Sequence, residues 1–124
     1  MTATLPAVIY AASATLPILM HLGLVAGAPW GRFTVGGKFP HALPPLWRGF
    51  ALVQVGLLVL MAASVLSFSG VLDAGLPPLL FWVTLGLTAL TALANAASRS
   101  RPERMLWGPV TGVMFIASLA VALL

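Results

Sequence analysis

Four apolar runs, near Leu5–Gly27, Trp47–Ser69, Pro77–Ala97 and Met105–Leu124, account for most of this chain, and each is about as long as one crossing of a bilayer requires. Polar and charged positions gather between them, chiefly in the stretches 28–46 and 98–104. The pattern predicts an all-α integral membrane bundle of four transmembrane helices, formed as one domain over residues 1–124, with no room for a separate soluble unit. Helix boundaries carry matching signals. Ser100-Arg101-Pro102-Glu103 reads as a capping box at the start of the fourth helix, with Glu103 reaching back to a free amide. Thr4-Leu5-Pro6 and Gly75-Leu76-Pro77-Pro78 place proline in a first turn, where its missing N–H costs nothing. Pro17 and Pro109 lie deeper and are expected to kink their helices. Leu-Pro-Pro-Leu occurs at 43–46 and again at 76–79, but precedes helices of opposite direction and reads as chance.

Composition sharpens the class. Only 6% of the residues are charged and 60% are hydrophobic, whereas soluble domains carry about 25% charged residues. The first run has no Lys or Arg before it and so lacks the charged start of a secretory signal, which leaves it as a span. The absence of cysteine excludes disulfides, thiolate metal sites and thiol nucleophiles.

Charge placement predicts orientation. Arg32, Lys38 and Arg48 flank or fill the first connection and Arg99, Arg101 and Arg104 the third, while the second carries only Asp73. Basic residues near span ends are retained in the cytoplasm. The expectation is a multi-pass protein of the cell inner membrane, with stretches 28–46 and 98–104 inside and both termini outside. Trp30, Trp47 and Trp107 then fall at the inner interface and Trp82 near the outer one, where indoles prefer to sit. Gly23/Gly27, Ala92/Ala96 and Gly108/Gly112 are small pairs four apart, suited to close helix approach within one bundle or between identical subunits.

The candidate chemistry is sparse. Thr84, Thr88, Thr91 and Asn95 share one face of the third helix, and Tyr10, Ala14, Pro17 and His21 repeat that spacing on the first. His21, Gln54, Thr91 and Thr111 each lie seven residues from the inner end of their run, a rise of about 10 Å. All four helices therefore bring a hydrogen-bonding side chain to a similar depth. Leaving His or Gln unpaired in hydrocarbon costs several kcal/mol, so His21, Gln54, Thr88, Thr91, Asn95 and Thr111 are expected to line a cytoplasm-facing polar pocket, with His21 donating to Gln54. The basic connections offer a second candidate group for anions or lipid headgroups: Arg32, Gly36, Gly37, Lys38, His41, Arg48, Arg99 and Arg101. Anionic lipid attracts such clusters at roughly 1 kcal/mol per basic residue, and amides around Gly36-Gly37 can cradle a phosphate or carboxylate. The basic area is too small to favour nucleic acid.

The combination Gly27-Ala28-Pro29-Trp30-Gly31, Gly36-Gly37, Leu43-Pro44 and Arg48, followed by Asn95-x-x-Ser98-x-Ser100-x-x-Glu103-x-x-x-Trp107-x-Pro109, spans most of the chain. It resembles a family of small uncharacterised bacterial membrane proteins with four helices. The resemblance brings no activity, substrate or catalytic residue, and implies that the two basic segments form one unit.

Acid–base or nucleophilic chemistry needs converging groups, and the only carboxylates are Asp73, expected outside, and Glu103, expected in a cap. The sequence thus points to no catalytic residues, no metal and no cofactor. It implies a non-enzymatic bundle that self-associates or docks on another membrane protein, with anionic headgroups as lipid partners. The alternatives are an oligomeric small-solute transporter or channel and, further off, a lipid-modifying enzyme using His21 or His41.

Overall fold

The computed structural model describes residues 2–124. Four α-helices form: α1 (Thr4–Val25), α2 (Pro45–Phe68), α3 (Pro78–Ala96) and α4 (Arg101–Leu123). Their 19 to 24 residues give lengths of about 28 to 36 Å, matched to a hydrocarbon core of about 30 Å. All four are long and apolar enough to cross a membrane. Large hydrophobic side chains such as Leu19, Val53, Leu79, Leu93 and Ile116 point outward and are exposed, an arrangement that water penalises and lipid does not.

The helix starts follow from proline. Pro45 and Pro78 occupy first-turn positions of α2 and α3, and α2 begins two residues before the apolar run that announced it. The start of α4 at Arg101 is set by Ser100, whose hydroxyl accepts the Glu103 amide at 3.4 Å. Pro17 and Pro109 both lie inside helices that continue past them.

Each helix packs on its neighbours in the cyclic order α1, α2, α3, α4, and α2–α3 is the thinnest of the four interfaces. Two buried clusters divide the interior. One holds Ala7, Tyr10, Ala14, Val65, Phe81, Met114, Ala117 and Val121. The other holds Met20, Leu24, Ala51 and Trp107 together with Leu43 from the long connection. Around the first cluster, the polar face of α3 ties three helices together. Ser64 spends its one proton on the Met61 carbonyl, so Thr84 donates to Ser64 at 2.7 Å. By the same count Thr88 donates to the Thr84 carbonyl and Tyr10 donates to Thr88 at 2.7 Å. Phe68 stacks on Phe81 with centroids 4.0 Å apart and both meet Trp82 edge-on, which closes α2 against α3 at the Asp73 end.

The connection from 28 to 44 is shaped by two short 3-10 turns, Gly31–Phe33 and Val35–Gly37. Gly31 donates to the His41 carbonyl at 2.8 Å, and its position against the Phe39 and His41 carbonyls leaves no space for a Cβ. Gly36 and Gly37 take positive φ angles of 62° and 77°, conformations that glycine adopts without steric cost. Val35 also lies at φ 52°, a strained setting for a β-branched residue.

Candidate functional site

The connection is not a free tether. Ser100 donates to the Arg32 carbonyl at 2.8 Å, and the Glu103 carboxylate accepts the Gly36 amide at 2.9 Å. The capping box is therefore half-formed: Glu103 serves the long connection, and the Ser100 amide turns to the Ser98 hydroxyl at 3.2 Å instead. At the other side Arg48 donates from Nε and one Nη to the Val25 carbonyl at 3.0 and 2.8 Å, capping α1. Gly27 takes a positive φ of 94° beside that guanidinium, and Gly23 leaves room for the indole of Trp30. The two glycines thus meet an α2 and a loop side chain where helix-on-helix contact was expected.

Beneath this connection lies a cavity of about 340 Å³ lined from all four helices. It receives His21, Gln54, Thr88, Thr91, Asn95 and Thr111, the six residues that spacing placed at one end of the bundle. Phe33, Thr34, Val35 and Leu43 of the connection cover its outer end, and Met61, Thr88 and Met114 form its inner floor, where the Tyr10–Thr88 bond and the first core cluster begin. Its flank faces the thin α2–α3 interface, where Phe50, Leu57 and Thr91 are exposed at the rim.

Within the cavity the expected His21–Gln54 bond is not made. His21 Nδ1 donates to the Pro17 carbonyl at 2.7 Å, one turn back on its own helix. A carbonyl only accepts, so Nδ1 carries a proton in this bond, and Nε2 is left without a partner among the described residues. Gln54 and Thr91 make no side-chain hydrogen bond to another of the described residues. Asn95 donates to Thr111 at 3.2 Å, and Thr111 donates to the Trp107 carbonyl at 2.6 Å. Trp107 is 6% exposed, inside the bundle and on the cavity wall, where an interfacial position was expected. Its Nε1–H is buried and has no acceptor among the described residues, a state that costs about 1–3 kcal/mol.

The residues of the second candidate group each make their own local contacts. Arg48 is committed to Val25, and Arg101 donates to the Met105 sulfur at 3.3 Å. Arg32 lies over Phe33 at 4.8 Å, and Lys38 over Phe39 and Trp47 at 5.4 and 5.8 Å. Arg99 and His41 are exposed. The amide of Gly36 does cradle a carboxylate, but that carboxylate is Glu103. Gly37 packs on Ser100. The sequence reading also missed Glu103, Phe33 and Leu43 as cavity residues, because their places depend on how the connection folds back.

Fold and cavity together define a multi-pass helical membrane protein with a cavity beneath its long connection. Comparison with protein-family models, with curated proteins and with solved structures finds no match.

Proposed function

We propose that this chain is a non-enzymatic membrane protein that holds a small membrane-dissolved guest in the loop-capped cavity. The observation that carries the reading is the meeting of free polar groups from three helices, His21 Nε2, Gln54 and Thr91, in one chamber whose flank lies at the thinnest helix interface. Pockets of roughly 300–1,000 Å³ that are mostly apolar with a few directed polar groups are what small-molecule sites look like. We place this end at the cytoplasmic face of the inner membrane, with both termini outside, on the distribution of Lys and Arg. Docking on a second copy or another membrane protein belongs to the same proposal. The shallow groove formed by Ala92, Ala96, Gly108 and Gly112 on α3 and α4 supports it, since small residues allow close approach.

Transport is the second reading, favoured by the polar lining of the chamber. It requires the Tyr10–Thr88 layer to open, because that layer closes the inner floor. The test is native mass spectrometry of protein released from nanodiscs. One retained small molecule per chain, lost in Thr91→Trp at the rim, is the expected result, and the same spectra give the subunit number. Equal occupancy in both proteins, or none in either, overturns the binding reading.

A further inference from the structure

We infer that residues 32–38 form a hinged lid over the cavity, latched by Glu103, whose release opens the chamber to water at the end the connection covers. The inference rests on the guest-binding reading and deepens it, giving a guest taken up from lipid a latched exit to the aqueous side. The connection is unevenly held. Its neck is fixed: the Gly31 amide donates to the His41 carbonyl at 2.8 Å, Gly31 is buried with no space for a Cβ, and Leu43 belongs to the second core cluster. Residues 32–38 make the loop between those points, and none of them is buried. Their backbone amides bond within the connection, Phe33 to Trp30, Thr34 to Gly31, Gly37 to Thr34 and Lys38 to Val35. Among the described residues, two hydrogen bonds tie the segment to a helix, and both go to the start of α4. Gly36 donates to the Glu103 carboxylate at 2.9 Å, and the Arg32 carbonyl accepts from Ser100 at 2.8 Å. Phe33, half-buried against the second cluster, is the apolar anchor. Segments with so few buried contacts open at far lower cost than a core does.

Strain biases the segment toward opening. Val35 holds a φ of 52°, a left-handed setting that a β-branched side chain resists, and Phe33, Thr34 and Val35 are the residues that cover the cavity. Seating them forces Val35 into that conformation, and lifting them lets it relax. The bond that opposes the strain is the one to Glu103, since a hydrogen bond to a carboxylate is roughly twice as strong as a neutral one. No other carboxylate can replace it: Asp73, the second acidic residue of the chain, lies between α2 and α3 at the other end of the bundle. Loss of the Glu103 bond frees the strained tip while the Gly31–His41 neck and Leu43 stay in place, so the motion is a hinge and not an unfolding of the connection.

The test places a single thiol in the chamber by Thr91→Cys, in a chain otherwise free of cysteine. In phosphatidylcholine nanodiscs, rates of reaction are measured with a membrane-impermeant sulfonated maleimide and, separately, with a membrane-dissolved alkyl maleimide. Adding Glu103→Ala should speed the slow impermeant reaction about tenfold, the effect of losing a hydrogen bond to a charged group. Adding Val35→Asn instead should slow it about fivefold, because asparagine tolerates the left-handed region and the closed lid is no longer strained. The alkyl reaction, which arrives through lipid, should be unchanged in both variants and so reports a folded bundle. Faster reaction with both reagents in Glu103→Ala would show a loosened bundle, and the lid then stands or falls on Val35→Asn alone. An impermeant rate unmoved by Glu103→Ala, or unmoved by Val35→Asn, overturns the lid. Neither rate depends on a guest, so native mass spectrometry of the same proteins decides the guest-binding reading separately.

Discussion

Replacing Gly36 and Gly37 together by valine should destabilise the protein more than replacing Arg32 and Lys38 together by glutamine. Both glycines lie at positive φ, 62° and 77°, where an L side chain costs roughly 1–2 kcal/mol and a β-branched one at least that. At Gly36 a Cβ would meet open space, so the whole cost there is backbone. At Gly37 it would sit 3.1 Å from the Ser100 Cβ and displace the hydroxyl that donates to the Arg32 carbonyl, a bond worth about 1 kcal/mol. The sum is about 3–5 kcal/mol. Arg32 and Lys38 are exposed and engage only aromatic faces, contacts worth about 0.5–1 kcal/mol each at such sites. Removing both cations and their three contacts should therefore cost at most about 1.5–3 kcal/mol. Equilibrium unfolding by dodecyl sulfate in mixed micelles, followed by circular dichroism, measures the difference. Loss of stability equal to within about 0.5 kcal/mol would mean that the connection is a charged tether and not a shaped cap.

Tyr10→Phe and Thr88→Val should show coupling of about 0.6 kcal/mol in a double-mutant cycle, the average for polar pairs in a membrane bundle, because the two hydroxyls meet at 2.7 Å; additivity would remove that bond. The cycle of His21→Phe with Gln54→Leu should instead be additive within error, since His21 donates to the Pro17 carbonyl; coupling near that of the Tyr10 pair would contradict the assigned bond. Arg48→Met should cost about 2 kcal/mol, from a charged double hydrogen bond on a helix C-terminal carbonyl. Arg48→Lys should recover part of it, with hydrogen exchange accelerated locally at the end of α1; unchanged exchange in Arg48→Met would refute the capping role.

The spans were legible because twenty-residue apolar runs have few readings, and Ser100 was legible as a cap because its spacing to Glu103 is local. The shared depth of His21, Gln54, Thr91 and Thr111 was legible for a similar reason: rise per residue is fixed, so counting from the run ends gives depth. Which partner each side chain takes was not. His21 turns to its own helix because a carbonyl one turn back is always at hand, and sequence spacing cannot weigh that against a partner on α2. Trp107 and Glu103 were assigned to an interface and a cap because chain position puts them at the end of a helix. Only the return of residues 31–43 over the bundle turns that end into the wall of a chamber. The role of Arg48 was hidden likewise, since Val25 lies across the whole connection.

The chain has no cysteine, so a single introduced thiol reports the chamber directly. In membranes, Thr91→Cys should react with a membrane-dissolved alkyl maleimide. It should resist a membrane-impermeant sulfonated maleimide added from either side, because residues 33–43 cover the outer end and the packed core closes the inner one. Rapid reaction of Thr91→Cys with the impermeant reagent from either side would show a water-filled path past the connection or the core and would contradict the capped chamber.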